Sequence, residues 1–200
     1  GVVLTTGCDK TTPACLMAAA TVNIPAIVLS GGPMLNGWWK GERSGSGSAM
    51  WRARQDYARG NIDYQGFIDM VASSAPSAGH CNTMGTASTM AVMAEALGMT
   101  RTGVAGTPAP DSRLLEQAHA SGQLIVEMVS AGRGPSDDIT AGSFRNAIVA
   151  LAAVGGSTNA VLHLLALAGR VGVDLALDDF DRIGSGVPLL VDLQPAGRFL

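Results

Sequence analysis

The chain has 200 residues, of which 47% are hydrophobic, 14% charged and 4% aromatic, and its formal net charge is −3 at pH 7. This length and apolar content are sufficient to bury the core of one domain. The 13 lysines and arginines are scattered rather than gathered in a basic stripe, which argues against nucleic acid as a partner. An apolar stretch at residues 147–169 is interrupted by glycine and polar residues, so it predicts two buried helices rather than a membrane span.

The three cysteines are an odd number and form no CxxC pair, so the sequence favours a reducing cytoplasm over a disulfide framework. No secretory signal pattern is recognised at the start. The chain begins with Gly1, inside what reads as a strand, and it ends in an apolar run. We therefore expect these residues to be a piece of a longer chain.

The first elements in chain order predict a strand, a helix and a second strand. The apolar run GVVLTTG reads as a strand, and Thr12 with Pro13 is typical of a helix N-cap and first helical position. That helix is predicted to continue to Val22, and residues 26–29 form a fully apolar strand before Gly-Gly-Pro. A strand–helix–strand unit of about 30 residues indicates an α/β fold, with a parallel sheet flanked by helices.

The rest of the chain predicts mainly helices. A polar, glycine-rich stretch at residues 36–55 reads as a surface loop that runs into a helix. Residues 135–139 read as a turn, and residues 188–195 as a closing strand. Helices are expected near residues 63–73, 89–98, 113–129, 143–154 and 158–171, with the last two hinged at Gly155 and Gly156.

Three side chains of different chemistry, Cys8, Asp9 and Lys10, follow the first strand and precede a helix. The carboxyl end of strands in a parallel sheet is where ligands bind. A thiolate suits a soft metal or serves as a nucleophile, whereas a carboxylate suits a hard cation. The structural alternative is a buried Cys8 with Asp9 as a cap, but an adjacent acid and lysine are unusual at the end of a core strand.

A second cysteine, Cys81, lies in the loop GHCNTMGTAS before another predicted helix. Two cysteines from separate loops at one sheet edge would form a soft-metal site, to which the neighbouring His80 could add a ligand. A second interpretation is a cysteine hydrolase with His80 as its base. Cys15 falls in the first turn of the first helix, and we expect it to pack in the core.

The turn GGSTNA offers Ser157, Thr158 and Asn159 at the start of a helix. These residues are equally consistent with helix capping and with a backbone cradle for a carboxylate or phosphate. His119 lies in a charged helix and is expected to be solvated, and His163, in VLHLLALA, is expected to be a core histidine with its hydrogen bonds satisfied.

Five segments, in order and across essentially the whole chain, resemble the dihydroxy-acid dehydratase / phosphogluconate dehydratase family. They are GCDKTTPA, IPAIVLSGGPM, GERSGSGS, APSAGHCNTMGTASTM and GGSTNAVLHL. GCDKTTPA and GWWKGERSGSGS are most similar to the sugar-acid branch, of the L-arabinonate and D-xylonate dehydratase type, whereas the branched-chain enzymes tend to read GCDKNMPG. The resemblance implies that residues 1–200 are part of the N-terminal domain, which binds a cluster and magnesium, of a larger two-domain enzyme.

The resemblance also implies a role for individual residues. Cys8 and Cys81 match thiolate ligands of an iron–sulfur cluster, [2Fe–2S] in this branch with [4Fe–4S] as the alternative. Asp9 matches a magnesium ligand, and Lys10 matches a catalytic lysine that binds the same Mg²⁺ through a carbamate. A third cluster cysteine, a further acidic ligand and a catalytic serine base lie outside these residues. Substrate contacts are expected from Thr11, Thr12, Ser157 and Thr158, with Thr12 also in a catalytic role.

The implied reaction is the dehydration of a 2,3-dihydroxy sugar acid to a 2-keto-3-deoxy acid, with the cluster as a Lewis acid and magnesium holding the substrate. The alternatives are a dihydroxy-acid dehydratase of branched-chain amino acid biosynthesis and a non-catalytic fragment. We expect residues 1–200 alone to be inactive, because the base and one cluster ligand are not among them. A homodimer or homotetramer in the cytoplasm, with no nucleic-acid or membrane partner, is expected for the full-length protein.

Overall fold

The computed structural model of the protein describes residues 1–193 and 197–199. The chain opens with β1 (Val2–Thr6), α1 (Thr11–Val22) and β2 (Ala26–Ser30). The two strands are parallel and pair in register from their first residues to their last, and β2 is buried along its whole length. This arrangement confirms the predicted strand–helix–strand unit and the α/β class, because only a crossover such as α1 can join two parallel neighbours.

The start of α1 differs from the predicted cap at Thr12. The helix begins at Thr11, and Lys10 occupies the cap position without a side-chain hydrogen bond. The Thr12 hydroxyl is buried inside the first turn and donates to the Thr6 Oγ1 atom at 3.0 Å. The prediction was wrong because Thr12 is already inside the helix, and its hydroxyl bonds to Thr6 instead of accepting a backbone N–H group of the first turn.

The stretch predicted as a polar loop contains a β-hairpin of β3 (Gly37–Trp39) and β4 (Glu42–Ser44). These strands are antiparallel, and both residues of the turn, Lys40 and Gly41, have positive φ angles of 49° and 84°. Positive φ at both turn positions is the geometry of tight hairpins. The prediction of a loop was therefore wrong for these residues, whereas the helix after it is present as α2 (Ser48–Ala58).

The remaining predicted helices are all present, with ends that differ by a few residues. The residues predicted to form a turn are instead a one-turn helix at Pro135–Asp138, and the helix at Leu177–Gly184 was not predicted. The residues up to 193 form no strand where a closing one was predicted, and the end of that prediction lies outside the described residues. The helices are α3 (Tyr64–Ser73), α4 (Thr86–Ala96), α5 (Ser112–Ala131), α6 (Pro135–Asp138), α7 (Ala141–Ala153), α8 (Asn159–Val171) and α9 (Leu177–Gly184).

The hydrophobic core lies where α1, α4, α7 and α8 meet beside β2, and α5 packs against both strands of the sheet. Its largest fully buried side chains include Leu16, Met90, Phe144 and Leu164. Cys15 is half-buried, so the expectation of a fully packed core cysteine is only partly met. Within the described residues no helix is long and apolar enough to cross a membrane.

The segment after β2 runs very close to the loop that carries Cys81. Gly32 and Gly79 have φ angles of +79° and +132°. A Cβ atom on Gly79 would lie 2.5 Å from the Met34 backbone nitrogen, which is closer than real Cβ atoms come to any neighbour. Glycine is therefore required at position 79, both for the backbone angle and for the close approach.

Replacing Gly79 by alanine should lower the free energy of unfolding by about 2 kcal/mol or more, because the backbone angle and the contact are both unfavourable for a side chain. Gly122→Ala is the matched control. Gly122 lies within α5, where an added Cβ atom would have no neighbour within 4 Å, and we expect the substitution to raise stability by about 0.5–1 kcal/mol. Urea unfolding of both variants measures the difference, and equal stability would contradict the required close approach.

Candidate metal and substrate site

Cys8, Asp9 and Lys10 form an exposed cluster in the turn between β1 and α1. The Cys8 thiol donates to Asp9 Oδ1 at 3.4 Å, and Lys10 Nζ lies 3.7 Å from Asp9 Oδ2. The side chains of Lys10 and Asp9 are 64% and 51% exposed. The Asp9 carboxylate thus stands between a soft thiol and an ammonium group, and all three groups are accessible to a ligand from solvent.

Two threonine hydroxyls hold the backbone of this turn. Thr11 Oγ1 accepts the backbone N–H of Cys8 at 2.9 Å and that of Gly7 at 3.4 Å. Thr12 is 2% exposed, and its hydroxyl is directed at Thr6 rather than at solvent. In this arrangement Thr11 is near enough to the surface to meet a substrate, whereas Thr12 ties the turn to the end of β1.

Cys81 lies at the carboxyl end of β2. The preceding residue, His80, pairs with Pro33 in a parallel bridge: His80 N donates to Gly32 O and His80 O accepts from Met34 N, both at 2.9 Å. Cys81 itself is exposed. Because Cys8 follows β1 and the Cys81 loop is joined to the chain just after β2, both cysteine-bearing loops lie at the carboxyl end of the parallel pair.

These residues do not complete a metal site by themselves. Among residues 1–193 and 197–199, no group of three or more histidine, cysteine, aspartate or glutamate side chains is placed to hold a metal ion. A cluster and a magnesium ion would each need more donors than Cys8, Cys81 and Asp9 supply.

The His80 ring is buried and contacts the backbone of its own loop, which does not favour a role as a metal ligand or a base. It is 7% exposed, its Nδ1 lies 3.1 Å from the Cys81 backbone oxygen, and its Nε2 is buried with no hydrogen-bond partner among the described residues. Burial lowers the pKa of His80, and the hydrogen bond to the Cys81 carbonyl opposes this shift. The ring is held against the backbone of the loop rather than directed at a cysteine thiol.

The GGSTNA turn is bonded to the start of α4, the helix that follows the Cys81 loop. The Ser157 and Thr86 hydroxyls are 2.8 Å apart, Ser157 N donates to Thr89 Oγ1 at 3.0 Å, and Asn159 Nδ2 donates to Thr86 Oγ1 at 2.9 Å. A cleft of about 510 Å³ lies between residues 84–86 on one side and residues 155–159 with Leu162 on the other. Ser157 and Thr158 both line this cleft, although the Ser157 hydroxyl is already in hydrogen-bond contact with Thr86.

The N-termini of α1, α4 and α8 all lie at the end of the molecule that carries the Cys8 turn and the Cys81 loop. Helix α8 packs against α1, and Arg170 near the end of α8 donates to Thr21 near the end of α1 at 2.9 Å, so the two helices run in the same direction. The α4 and α8 starts are joined through Thr86. Helix N-termini carry partial positive charge, so this end of the fold favours an anionic ligand.

His163 is a residue whose environment the sequence did not reveal. It is half-buried, and its Nε2 has no hydrogen-bond partner within the described part of the chain, so the prediction of a satisfied core histidine was wrong. The pKa of His163 is lowered, mainly by burial and to a smaller extent by the positive charge of Lys10, while the negative charge of Asp9 opposes this shift. The helical spacing from Ala160 and Leu164 indicates an inward face, but it does not show that this face meets the Lys10 turn. His119, by contrast, is exposed as expected.

Sequence comparison finds relatives along the entire chain. The family described as "Dihydroxy-acid/6-phosphogluconate dehydratase N-terminal" matches residues 1–200. The chain is 56% identical over 199 residues to D-xylonate dehydratase from Caulobacter vibrioides, covering 100% of this chain and 33% of that protein. It is also 56% identical over 198 residues to L-arabonate dehydratase from Azospirillum brasilense, covering 99% of this chain and 34% of the relative.

A protein named dihydroxy-acid dehydratase from Picrophilus torridus is 45% identical over 193 residues, covering 96% of this chain and 35% of its own length. The chain thus spans about a third of the length of the curated relatives it matches. These matches confirm the resemblance inferred from the five segments, including its greater similarity to the sugar-acid dehydratases. Because the family match extends from the first residue to the last, the chain belongs to the dihydroxy-acid/6-phosphogluconate dehydratase N-terminal family.

Proposed function

We propose that the protein containing this chain is a hydro-lyase that dehydrates an aldonate, a 2,3-dihydroxy sugar acid, to a 2-keto-3-deoxy acid. The observation that carries this proposal is the exposed Cys8–Asp9 pair at the carboxyl edge of β1, with the exposed Cys81 at the end of the neighbouring strand. The sugar-acid substrate class is supported by the higher identity to the D-xylonate and L-arabonate dehydratases than to the dihydroxy-acid dehydratase.

The donor chemistry of these residues fits the two metal groups that the family resemblance implies. Exposed thiols at positions 8 and 81 suit the iron of a [2Fe–2S] or [4Fe–4S] cluster, and the Asp9 carboxylate suits Mg²⁺. When bound, these groups supply Lewis acidity that activates the leaving hydroxyl and acidifies the C2 proton. The remaining donors and the base would come from parts of the protein beyond these residues.

Lys10 fits this site only after modification. Its ammonium group has three donors and no lone pair for a cation, and it now pairs with Asp9. Addition of CO₂ to the neutral amine, with loss of one proton, gives a carbamate that carries oxygen ligands and a negative charge. Lys10 would then act alongside Asp9 as a second hard donor.

Other residues of the chain would bind and orient the substrate. The converging N-termini of α1, α4 and α8 favour the substrate carboxylate, and the cleft beside Ser157 and Thr158 has about 510 Å³ for a small sugar acid. Thr11 is exposed next to Cys8, Asp9 and Lys10, and its hydroxyl could form a hydrogen bond with a hydroxyl of the substrate. Thr12, whose hydroxyl bonds to Thr6, would act by fixing the turn rather than by touching the substrate.

The alternatives are less well supported. A cysteine hydrolase needs a histidine within reach of the thiol, whereas His80 bonds its own loop backbone and the Cys8 thiol pairs with Asp9. A branched-chain dehydratase is less well supported because the chain is 45% identical to the dihydroxy-acid dehydratase and 56% identical to the D-xylonate and L-arabonate dehydratases. The dimer or tetramer, the cytoplasmic location and the inactivity of these residues alone remain predictions from the sequence.

Alanine substitutions of the three cysteines test the cluster assignment in the full-length enzyme purified without oxygen. Cys8→Ala and Cys81→Ala should each lower bound iron and sulfide by more than about half, because each removes a thiolate ligand. Cys15→Ala is the matched control and should retain both, since this half-buried thiol lies within α1 and not in the exposed turn that carries Cys8. Iron and sulfide analysis checks this, and equal loss in all three variants would contradict the assignment.

Isotope labelling tests the carbamate. After equilibration with ¹³C-bicarbonate, the full-length enzyme should give a carbamate carbon resonance that is lost in Lys10→Arg and kept in Lys40→Arg. Arginine keeps the positive charge but cannot form the modification, and Lys40 is the other lysine of this chain. A resonance that persists in Lys10→Arg would contradict the assigned role of Lys10.

Substrate comparison tests the proposed reaction. The full-length enzyme should show a kcat/KM for five-carbon aldonates at least about 100-fold above that for 2,3-dihydroxy-isovalerate, because polar groups in the cleft lose their partners when the substrate lacks hydroxyls. Product formation is followed as the 2-keto-3-deoxy acid. A preference for the branched-chain acid would overturn the sugar-acid proposal.

A further inference from the structure

Asn82, the residue directly after Cys81, is buried and fully engaged by three separate segments. It is 7% exposed. Its Nδ2 donates to Leu35 O at 2.9 Å and to Ser74 O at 3.3 Å, while its Oδ1 accepts the backbone N–H of Ser46 at 2.8 Å. Both amide hydrogens and the carbonyl oxygen therefore have partners, and the orientation of the amide follows from them.

The three segments that meet at Asn82 are all irregular. Leu35 lies in the chain after β2, Ser46 lies between β4 and α2, and Ser74 caps the end of α3. Each segment directs a backbone group at the Asn82 amide, so this side chain joins them where they have no ladder of backbone hydrogen bonds with one another. An interior polar group with complete hydrogen bonding fixes its surroundings closely, because any displacement leaves buried groups unpaired.

Cys81 is thus held on both sides. On its N-terminal side the His80 backbone is bonded to Gly32 and Met34, and on its C-terminal side Asn82 joins the three segments. Between these two fixed residues the thiol of Cys81 is exposed. A cluster ligand needs this combination, since the sulfur must be accessible to iron while its backbone keeps one position.

We propose that Asn82 is the positioning residue that holds the Cys81 thiol at the edge of the sheet for iron binding. The iron-binding part rests on the proposed function, but the positioning of the thiol by Asn82 does not. The need for both donors and an acceptor distinguishes asparagine from aspartate, which would still accept from Ser46 but would face the carbonyl oxygens of Leu35 and Ser74 with a negative charge.

The test compares Asn82→Ala and Asn82→Asp with the full-length wild-type enzyme. In metal-free protein, backbone hydrogen exchange in the peptide that contains His80 and Cys81 should become about tenfold faster in both variants, because loss of these bonds frees the loop, while exchange in the Cys8 peptide stays unchanged. Mass spectrometry of the two peptides gives both rates from one sample. In anaerobically purified protein, iron and sulfide should fall to less than about half.

Asn61→Ala is the control variant. Asn61 is exposed and donates to Asp56 Oδ1 at 3.2 Å. Its loss should change neither the rate measured in the Cys8 peptide, nor that in the Cys81 peptide, nor the iron content. If the rate in the Cys81 peptide is unchanged in both Asn82 variants, Asn82 has no positioning role. If the rates in the Cys8 and Cys81 peptides change equally, the role of Asn82 is a general structural one, and either result would overturn the inference. If the wild-type enzyme binds no iron, but the rate in the Cys81 peptide still rises relative to that in the Cys8 peptide in the Asn82 variants, the proposed iron–sulfur cluster is contradicted and the positioning role of Asn82 is supported.

Discussion

The parallel pairing of β1 with β2 is the constraint on which the candidate site depends. Its register is continued past the strands, because Gly31 N donates to Thr6 O at 2.7 Å and the His80 segment then joins Gly32 and Met34. Both cysteine-bearing loops are therefore attached to the same edge of the pair. A shift of one residue in this register would reverse the faces of the strands and separate the turn after β1 from the Cys81 loop.

Beyond that edge, hydroxyl and amide side chains replace regular secondary structure. Thr11 holds the backbone of the Cys8 turn, Thr86 and Thr89 bind the GGSTNA turn, and Asn82 joins three loops. Several of these short polar groups pair with backbone N–H and C=O groups that have no partner in regular secondary structure. The reactive groups at positions 8 and 9 are consequently placed by a rigid shell while they themselves remain accessible.

The sequence was most informative where apolar periodicity is long. It located β1, β2 and the helices of the core, since burial of one face dictates their spacing. It failed at the hairpin, where the polar flanking residues concealed two strand-forming tryptophans, and at the start of α1, where the Thr12 hydroxyl bonds to Thr6 on β1. The environments of His163 and Asn82 depend on segments distant in sequence, so no local pattern could reveal them.

The polar side chains at the carboxyl end of the sheet differ in how many of their hydrogen bonds are made within the chain. Asn82 and Thr12 are buried and hydrogen-bonded within the chain, whereas Cys8, Cys81, Asp9 and Lys10 remain exposed with few or weak partners. An exposed ion pair such as Asp9–Lys10 contributes little to stability, so stability alone gives no reason for it to stand here. On the proposed function, the exposed donors are kept open for metal ions and for groups from the rest of the protein, while the buried ones fix where those donors stand.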